Sequence, residues 1–342
     1  MFAHSRHASL ARRLAFGLVP LGIVASLLLA ACGPAQQTSA SDLPLLTLGL
    51  TYYPDIQFSP FYVADALGYY KNAGIAVSFH HGIETNEFAL LAAGKEDAIF
   101  AGGDEVLQAR SASALPLVDV ATIFQKYPVA LIVPADSPIH TAADLRGHTI
   151  GVPGPYGATY TGLLALLHSA GLTTNDVTVQ SIGFTQVAAL VTHKVDAVMG
   201  YANNEPVQLR RQGIAIRTLN VWDAQPLVSN GLVVLQSELK SHPDQVRALV
   251  NATLRGVQYV IAHPQDAVRI SQSYVPDLNA AAKQQNALAV LQATIPLWEG
   301  SGNPGRNDPA AWESMAGFLR SVNLLKGSVD VTQAYSNSYL PV

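Results

Sequence analysis

The sequence is short of cysteine, of charge and of basic clusters. Cys32 is the single cysteine in 342 residues, and charged residues make up 13% of the chain. Beyond Cys32 nothing is left for a disulfide, a thiolate nucleophile or a zinc–thiolate site. The formal net charge of −4 and the lack of basic runs argue against a nucleic-acid partner.

Catalytic motifs are missing as well. The chain contains no GxSxG, HExxH, GxGxxG or Walker loop. His80 and His81 are neighbours on a predicted strand, so they face opposite sides of the sheet and do not readily share a metal ion. We therefore expect a protein that is not an enzyme, with no catalytic residue, metal site or cofactor.

Residues 1–31 have the features of a targeting segment. Three arginines precede the apolar run LAFGLVPLGIVASLLLA, which ends in the residues LAACG. This ending is similar to the bacterial lipobox, in which the cysteine, here Cys32, becomes the lipidated first residue. The alternatives are a plain signal peptide or a transmembrane anchor. With residues 32–44 as a flexible tether, we expect palmitate-type chains on Cys32 to hold the protein at the extracytoplasmic face of the cell membrane.

Beyond Leu45, short apolar runs alternate with amphipathic runs of helical length. This alternation predicts an α/β fold with mainly parallel sheets and flanking helices. The order restarts near residue 142, and a motif recurs: residues 94–110 read GKEDAIFAGGDEVLQAR and residues 193–210 read HKVDAVMGYANNEPVQLR. The recurrence predicts two lobes of like topology, and a chance similarity between two αβα units is the alternative.

Two β-rich segments, residues 127–138 and 226–237, flank the second unit. Two extended crossings would make the second lobe an insertion in the first. We therefore predict a first lobe formed by residues 45–132 and 233–342, with the C-terminal helices packed on it. Residues 133–232 would form the second lobe.

The candidate ligand-binding residues follow from the rule that ligands of α/β lobes sit beyond the carboxyl ends of the strands. The rule selects five loops that follow predicted strands, together with the second crossing. The candidates at these places are Tyr53, Asp55, Phe58, Phe61, Glu84, Gly103, Asp104, Glu105, Tyr156, Gly157, Ala158, Thr159, Tyr201, Asn203, Glu205 and Asn230.

Aromatic candidates are concentrated in residues 51–62, TYYPDIQFSPFY. Tyr53, Phe58 and Phe61 can present ring faces to a planar heteroaromatic ligand, while the two prolines restrict the loop. The alternative for such rings is packing in the core of the first helix.

Polar candidates begin two predicted helices. Asp104 and Glu105 begin one, and Asn203 and Glu205 begin the other. Both sets offer acceptors to the hydroxyl and N–H groups of a neutral ligand, and simple helix capping is the alternative. Gly157 precedes a third helix and allows close backbone approach. Its turn could instead hold an anion on helix amides, but positive charge is scarce nearby.

Several stretches together resemble the solute-binding lipoproteins of ATP-driven importers. They are YYPDIQFSPFYVADALGYY, ALLAAGKEDAIFAGGDEVLQAR, DLRGHTIGVPGPYGATY, SIGFTQVAALVTHKVDAVMGYANNEPVQLR and LVSNGLVV, spanning about residues 45–325. The group they resemble binds thiamine-pyrimidine precursors, riboflavin, sulfonates and related small molecules. The resemblance implies a two-lobed, type II periplasmic-binding-protein-like fold, a monomer, and delivery of the ligand to an ABC permease with its ATPase.

Within that group the resemblance is greatest to the riboflavin-binding members, which implies riboflavin as the transported ligand. Formylaminopyrimidine or hydroxymethylpyrimidine is the alternative. The family also contains a yeast pyrimidine-forming enzyme with a cysteine-rich motif, and this sequence has no counterpart of that motif. The absence of this motif favours a binding protein over the enzyme.

Overall fold

This computed structural model describes residues 43–299 and 305–341. The predicted targeting segment, Cys32 and almost all of the predicted tether lie outside the described residues. Among the helices of the described part, none is long and apolar enough to cross a membrane.

Strands and helices alternate along most of the chain. The strands are β1 (Leu45–Leu50), β2 (Ala76–His81), β3 (Ala98–Gly102), β4 (Leu117–Thr122), β5 (Val129–Pro134), β6 (Thr149–Val152), β7 (Thr178–Ser181), β8 (Ala197–Tyr201), β9 (Ile216–Asn220) and β10 (Asn230–Leu235). The helices are α1 (Ser59–Ala66), α2 (Tyr69–Asn72), α3 (Glu84–Ala92), α4 (Gly103–Ser113), α5 (Gly157–Ser169), α6 (Gln186–Val191), α7 (Glu205–Arg211), α8 (Val221–Ala224), α9 (Gln236–Ser241), α10 (Pro243–Ala262), α11 (Pro264–Ser271), α12 (Ala281–Trp298) and α13 (Pro309–Ser321).

The strands form two five-stranded sheets, with the orders β2-β1-β3-β10-β4 and β7-β6-β8-β5-β9. In the first sheet, β1 pairs parallel with β2 and β3, whereas β10 pairs antiparallel with β3 and β4. In the second sheet, β6 pairs parallel with β7 and β8, whereas β5 pairs antiparallel with β8 and β9. The predicted two-lobed α/β fold is confirmed, and each sheet is mixed because one of its strands opposes the others.

In each sheet, the antiparallel strand is the first strand after the chain crosses from the other lobe. β5 follows β4 of the first sheet and pairs in the second, while β10 follows β9 of the second sheet and pairs in the first. The lobe boundaries that we placed after residues 132 and 232 therefore fall inside β5 and β10. Because a strand belongs to the sheet that satisfies its backbone hydrogen bonds, the crossings are residues 123–128 and 221–229.

The C-terminal helices pack on the first lobe, and α12 and α13 also contact the second. α10, α11 and α13 each begin with proline, whose fixed φ suits the first helical position. α10 buries one apolar face against α1. α12 contacts both the turn Ile56–Phe58 of the first lobe and α7 of the second. The contacts of α12 therefore lie on both lobes, beside the loops that end the strands.

Candidate ligand-binding site

A cavity lies between the two sheets, where loops from both lobes meet. It contains about 760 Å³ of space that is continuous with solvent at its mouth. Its lining comes from the ends of β1, β3, β4, β6, β7 and β8 and from the start of β10. These are the positions at which α/β sheets commonly bind ligands.

Aromatic rings provide most of the apolar lining. The seven rings are Tyr52, Phe58, Phe100, Phe124, Tyr156, Phe184 and Tyr201. Phe58 is 5% exposed and meets Phe100 edge-on, with ring centroids 6.1 Å apart. Both lobes contribute rings, so a flat ligand in the cavity would contact aromatic surface from each.

The polar lining is almost entirely uncharged. It consists of Thr51, Gln57, Thr159, Gln186, Asn204 and Asn230, together with the carboxyl group of Glu205. Among the described residues that line the cavity, none is lysine, arginine or histidine. The site therefore offers hydroxyl, amide and carboxyl groups to a ligand, and no positive side chain to an anion.

Glu205 is held at the start of α7 by its neighbours. Its Oε2 accepts a hydrogen bond of 2.7 Å from the backbone N–H of Tyr201, and its Oε1 accepts one of 3.3 Å from Nδ2 of Asn204. The side chain is buried, and this burial raises the pKa of Glu205 to about 7. Near neutral pH the carboxyl group can therefore either donate or accept a hydrogen bond.

The equivalent helix of the first lobe begins with Asp104 and Glu105, which are buried outside the cavity lining. Glu105 accepts a hydrogen bond of 2.9 Å from the backbone N–H of Gly102. Asp104 interacts with Tyr127 and Thr161, and burial raises its pKa to about 6. Asp104 therefore lies at the junction of the lobes and Glu105 caps its own helix, while Glu205 lines the cavity.

One amide side chain bridges the lobes beside the cavity. Nδ2 of Asn203 donates to Oε1 of Gln57 and to Oγ1 of Thr294, both at 2.7 Å. Asp55 fixes the turn that carries Gln57, because its Oδ1 accepts hydrogen bonds from the backbone N–H and the side chain of Gln57. We had predicted ligand contacts for Asn203 and Asp55, and both residues lie outside the lining in these bridging and capping positions.

Aromatic residues of both lobes meet at one side of the cavity. Phe184 of the second lobe contacts Tyr52 and Tyr53 edge-on, with centroid distances of 5.2 and 6.1 Å. Tyr52 and Phe184 line the cavity, whereas Tyr53 lies outside the lining and is 58% exposed. The loop therefore turns Tyr52, rather than the predicted Tyr53, toward the ligand space.

The structure brings six of the sequence-predicted residues together around the cavity. They are Phe58, Tyr156, Thr159, Tyr201, Glu205 and Asn230.

Other predicted residues lie in the surrounding structure and not in the cavity lining. Phe61 is 1% exposed and packs against Phe100 in the core. Gly103 lies buried at the start of α4. Gly157 begins α5 with a φ of +69°, a conformation that favours glycine. The carbonyl oxygen of Ala158 accepts the hydroxyl of Tyr127 at 3.0 Å, and the side chain of Glu84 lies outside the described part.

Asn204, which begins the same predicted helix as Asn203 and Glu205, also lines the cavity. Sequence reasoning missed eight lining residues, which are Thr51, Tyr52, Gln57, Phe100, Phe124, Pro153, Phe184 and Gln186. Phe184 and Gln186 follow β7, so the strand-end rule that selected the other loops also covers this one. Phe100 lies within a buried strand, where the sequence does not distinguish a cavity ring from a core ring.

Two lobes joined by two crossings, with a cavity between them, form the periplasmic-binding-protein-like fold. The chain belongs to the NMT1/THI5-like family, whose model matches residues 55–267. Our prediction of this family is confirmed.

Curated relatives include both vitamin-binding proteins and synthases. The chain is 37% identical to the riboflavin-binding protein RibY of Chloroflexus aurantiacus, over 95% of this chain and 97% of that protein. It is 26% identical to the formylaminopyrimidine-binding protein of Halalkalibacterium halodurans, over 92% and 96%. A Legionella pneumophila relative at 22% identity, covering 86% and 92%, is named a hydroxymethylpyrimidine phosphate synthase.

A solved structure shows the same fold. The periplasmic aliphatic sulphonate-binding protein SsuA of Escherichia coli matches with a TM-score of 0.67 and 16% identity, over 84% of this chain and 91% of that chain. At this identity the similarity supports the fold alone.

Proposed function

We propose that this chain binds riboflavin outside the cytoplasmic membrane and delivers it to the permease of an ABC importer. The observation that carries the proposal is the cavity itself, with its seven aromatic rings and uncharged polar lining. The 37% identity to a riboflavin-binding protein over nearly the whole chain supports the same ligand.

The aromatic part of the lining suits the isoalloxazine of riboflavin, which is flat and conjugated. Offset or edge-on contacts between aromatic rings contribute about 0.5–1.5 kcal/mol per pair beyond the burial of area. Because Phe58 and Phe100 are already packed against each other, they offer preformed aromatic surface at little cost in conformational entropy.

The polar part of the lining suits the ribityl chain and the ring edge. Amide groups such as those of Asn204 and Asn230 both donate and accept, as do the hydroxyls of Thr51 and Thr159. Glu205 adds a group whose raised pKa lets it match either a donor or an acceptor on the ligand. Binding of a sulfonate or phosphate would require positive side chains, and the described residues that line the cavity include none.

A thiamine pyrimidine precursor is the second candidate, because one relative is named a formylaminopyrimidine-binding protein. A single pyrimidine ring would leave several of the seven rings without a ligand contact. We propose binding rather than pyrimidine synthesis, since the sequence has no cysteine after Cys32 and hence no cysteine-rich motif.

Membrane attachment is the remaining part of the proposal. The LAACG ending of the targeting segment supports acylation of Cys32 and an extracytoplasmic, lipid-anchored protein. We propose that it acts as a monomer, and that the permease and its ATPase are its protein partners.

Fluorescence titration tests the ligand. Riboflavin fluorescence should be quenched on addition of the purified protein, saturating at one ligand per chain. Excess formylaminopyrimidine should not restore the fluorescence. Full recovery of the fluorescence at a formylaminopyrimidine concentration below that of riboflavin would support the pyrimidine ligand instead, and an unquenched titration would refute the proposal.

A further inference from the structure

A histidine and two glutamates meet on the first lobe, away from the lining of the cavity. Nδ1 of His80, on β2, lies 3.1 Å from Oε2 of Glu87 and 2.8 Å from Oε1 of Glu96. His81 points the other way, because its Nδ1 and Nε2 lie within hydrogen-bond distance of the Tyr52 carbonyl and the Tyr62 hydroxyl. The strand therefore separates the two histidines, and only His80 joins the acidic pair.

The two carboxyl groups are buried and incompletely satisfied. Glu87 is 0% exposed and Glu96 is 4% exposed, and Oε1 of Glu87 and Oε2 of Glu96 have no hydrogen-bond partner among the described residues. The carboxyl groups come together over Gly49 of β1. A Cβ atom at Gly49 would lie 2.4 Å from Oε2 of Glu96 and 2.6 Å from Oε2 of Glu87, so glycine keeps this space open.

Two buried carboxylates need a positive partner, because burial of unpaired charge is costly. The ion pairs that these glutamates make within the described residues are with His80 alone. One imidazole cannot neutralise two carboxylates and satisfy every free oxygen. A small cation bound among the three side chains would do both.

We propose that His80, Glu87 and Glu96 form a binding site for a divalent first-row metal ion such as Zn²⁺. One ligand atom from each residue lies within 4.8 Å of the others. The separations from the imidazole nitrogen, 2.8 and 3.1 Å, are slightly shorter than the edge of about 3.4 Å of a tetrahedron with bonds of about 2.1 Å, so a small outward shift of the side chains would seat the ion. Mixed imidazole and carboxylate ligands suit Zn²⁺ better than Ca²⁺, which takes oxygen alone, or Cu⁺, which takes soft sulfur.

The site is open to solvent on the side of its histidine. The His80 side chain is 48% exposed and borders an open depression that also includes Gly82 and Asn86. A metal ion could enter from this depression and keep water in its remaining coordination positions. The three ligands come from β2, α3 and the segment before β3, so the ion would join three separate parts of the lobe.

A proton shared between the two carboxyl groups is the competing occupant of this space. Burial and the proximity of Glu87 raise the pKa of Glu96 to about 8, so that such a proton would be held at neutral pH. A shared proton explains the pairing of the glutamates, but it gives no reason for stoichiometric metal binding. A measurement of stoichiometric metal binding therefore distinguishes a bound metal ion from a shared proton.

Calorimetric titration of ZnCl₂ into the purified full chain, after treatment with EDTA, tests the site. We expect one equivalent of Zn²⁺ per chain, and binding weakened at least about tenfold by Glu96→Gln and by His80→Ala. His242→Ala is the matched control, since Nδ1 of His242 faces only one carboxylate, Oε2 of Glu238 at 2.9 Å. Its affinity for Zn²⁺ should equal that of the wild type.

Thermal melts without metal show whether each variant is folded, and the half-exposed His80 provides a variant with little effect on the core. Added Zn²⁺ should raise the melting temperature of the wild type and not that of Glu96→Gln. Absence of stoichiometric binding by the wild type would overturn the proposal. So would Zn²⁺ binding that both ligand variants leave unchanged, because the ion would then be bound elsewhere.

Discussion

Glu105 and Glu205 show how equivalent residues of the two lobes have taken different places. Each accepts a hydrogen bond from the backbone N–H at the end of the preceding strand, that of Gly102 or of Tyr201. Only Glu205 also lines the cavity. The recurrence of the motif could be predicted from the sequence, but which copy faces the ligand depends on how the loops pack.

The raised pKa of Glu205 predicts a dependence of stability on pH. Its pKa rises from 4.5 to about 7 in the folded chain, so its protonation favours the folded state and this contribution is lost as pH increases through about 7. Relative to Glu205→Gln, the wild type should lose at most about 3 kcal/mol of unfolding free energy between about pH 4.5 and 8. Urea unfolding of both proteins across this range measures the difference, and parallel curves would contradict the assignment.

Phe184 and Tyr53 form a matched pair for testing aromatic contact with the ligand. The two rings touch each other, but only Phe184 lines the cavity. Phe184→Leu should weaken riboflavin binding by about 0.5–1.5 kcal/mol, roughly two- to twelve-fold in Kd. Tyr53→Leu should leave Kd within about twofold of the wild type. Fluorescence titration measures both, and a larger loss for Tyr53→Leu would show that the cavity is not the ligand site.

At the scale of elements, hydrophobic periodicity predicts most strands and helices, because each buries an apolar face. The C-terminal helices begin at Pro243, Pro264 and Pro309, which mark their first positions in the sequence too. The turn Ile56–Phe58 is harder to predict, since its direction depends on the Asp55 cap. The direction of that turn determines which rings line the cavity. The aromatic content of the loop could therefore be predicted from the sequence, but the orientations of Tyr52 and Tyr53 could not.

The bridge between α12 and the loop before α7 predicts an effect on ligand release. Asn203→Ala removes two hydrogen bonds between the lobes and leaves Gln57 and Thr294 without their donor. A loss of about 1–2 kcal/mol would speed riboflavin release roughly five- to thirtyfold. Stopped-flow measurement of release, with Asn220→Ala as control, tests this. The side chain of Asn220 donates a local hydrogen bond to Asp223, three residues along the chain, and does not join the lobes. Equal release rates for both variants would contradict the bridging role.

At the scale of the whole molecule, the order of βαβ units was sufficient to predict a two-lobed α/β fold. The exact crossings were not predictable, because β5 and the part of β10 after Asn230-Gly231 are apolar and fit either sheet by composition. The ligand space is also a property of the whole molecule, since its lining comes from both sheets. Sequence positions alone could not show that Phe100 and Phe184 border the same space.

The proposed attachment of the molecule to the membrane depends on one residue, Cys32. Cys32→Ser should abolish acylation, because the serine hydroxyl does not replace the thiol as the lipid acceptor. Metabolic labelling with palmitate should mark the wild type alone, and unprocessed precursor should accumulate in the variant. Equal labelling of both proteins would contradict lipidation at Cys32.

The central claim is that a neutral aromatic vitamin occupies a cavity whose described lining contains no positive side chain. Calorimetric titration of riboflavin at low and high ionic strength tests it most directly, because screening weakens the binding of charged ligands and hardly affects neutral ones. We predict one riboflavin per chain and a Kd that changes less than about twofold between roughly 0.02 and 0.5 M salt. Absence of saturable binding, or a Kd that weakens steeply with salt, would contradict the account.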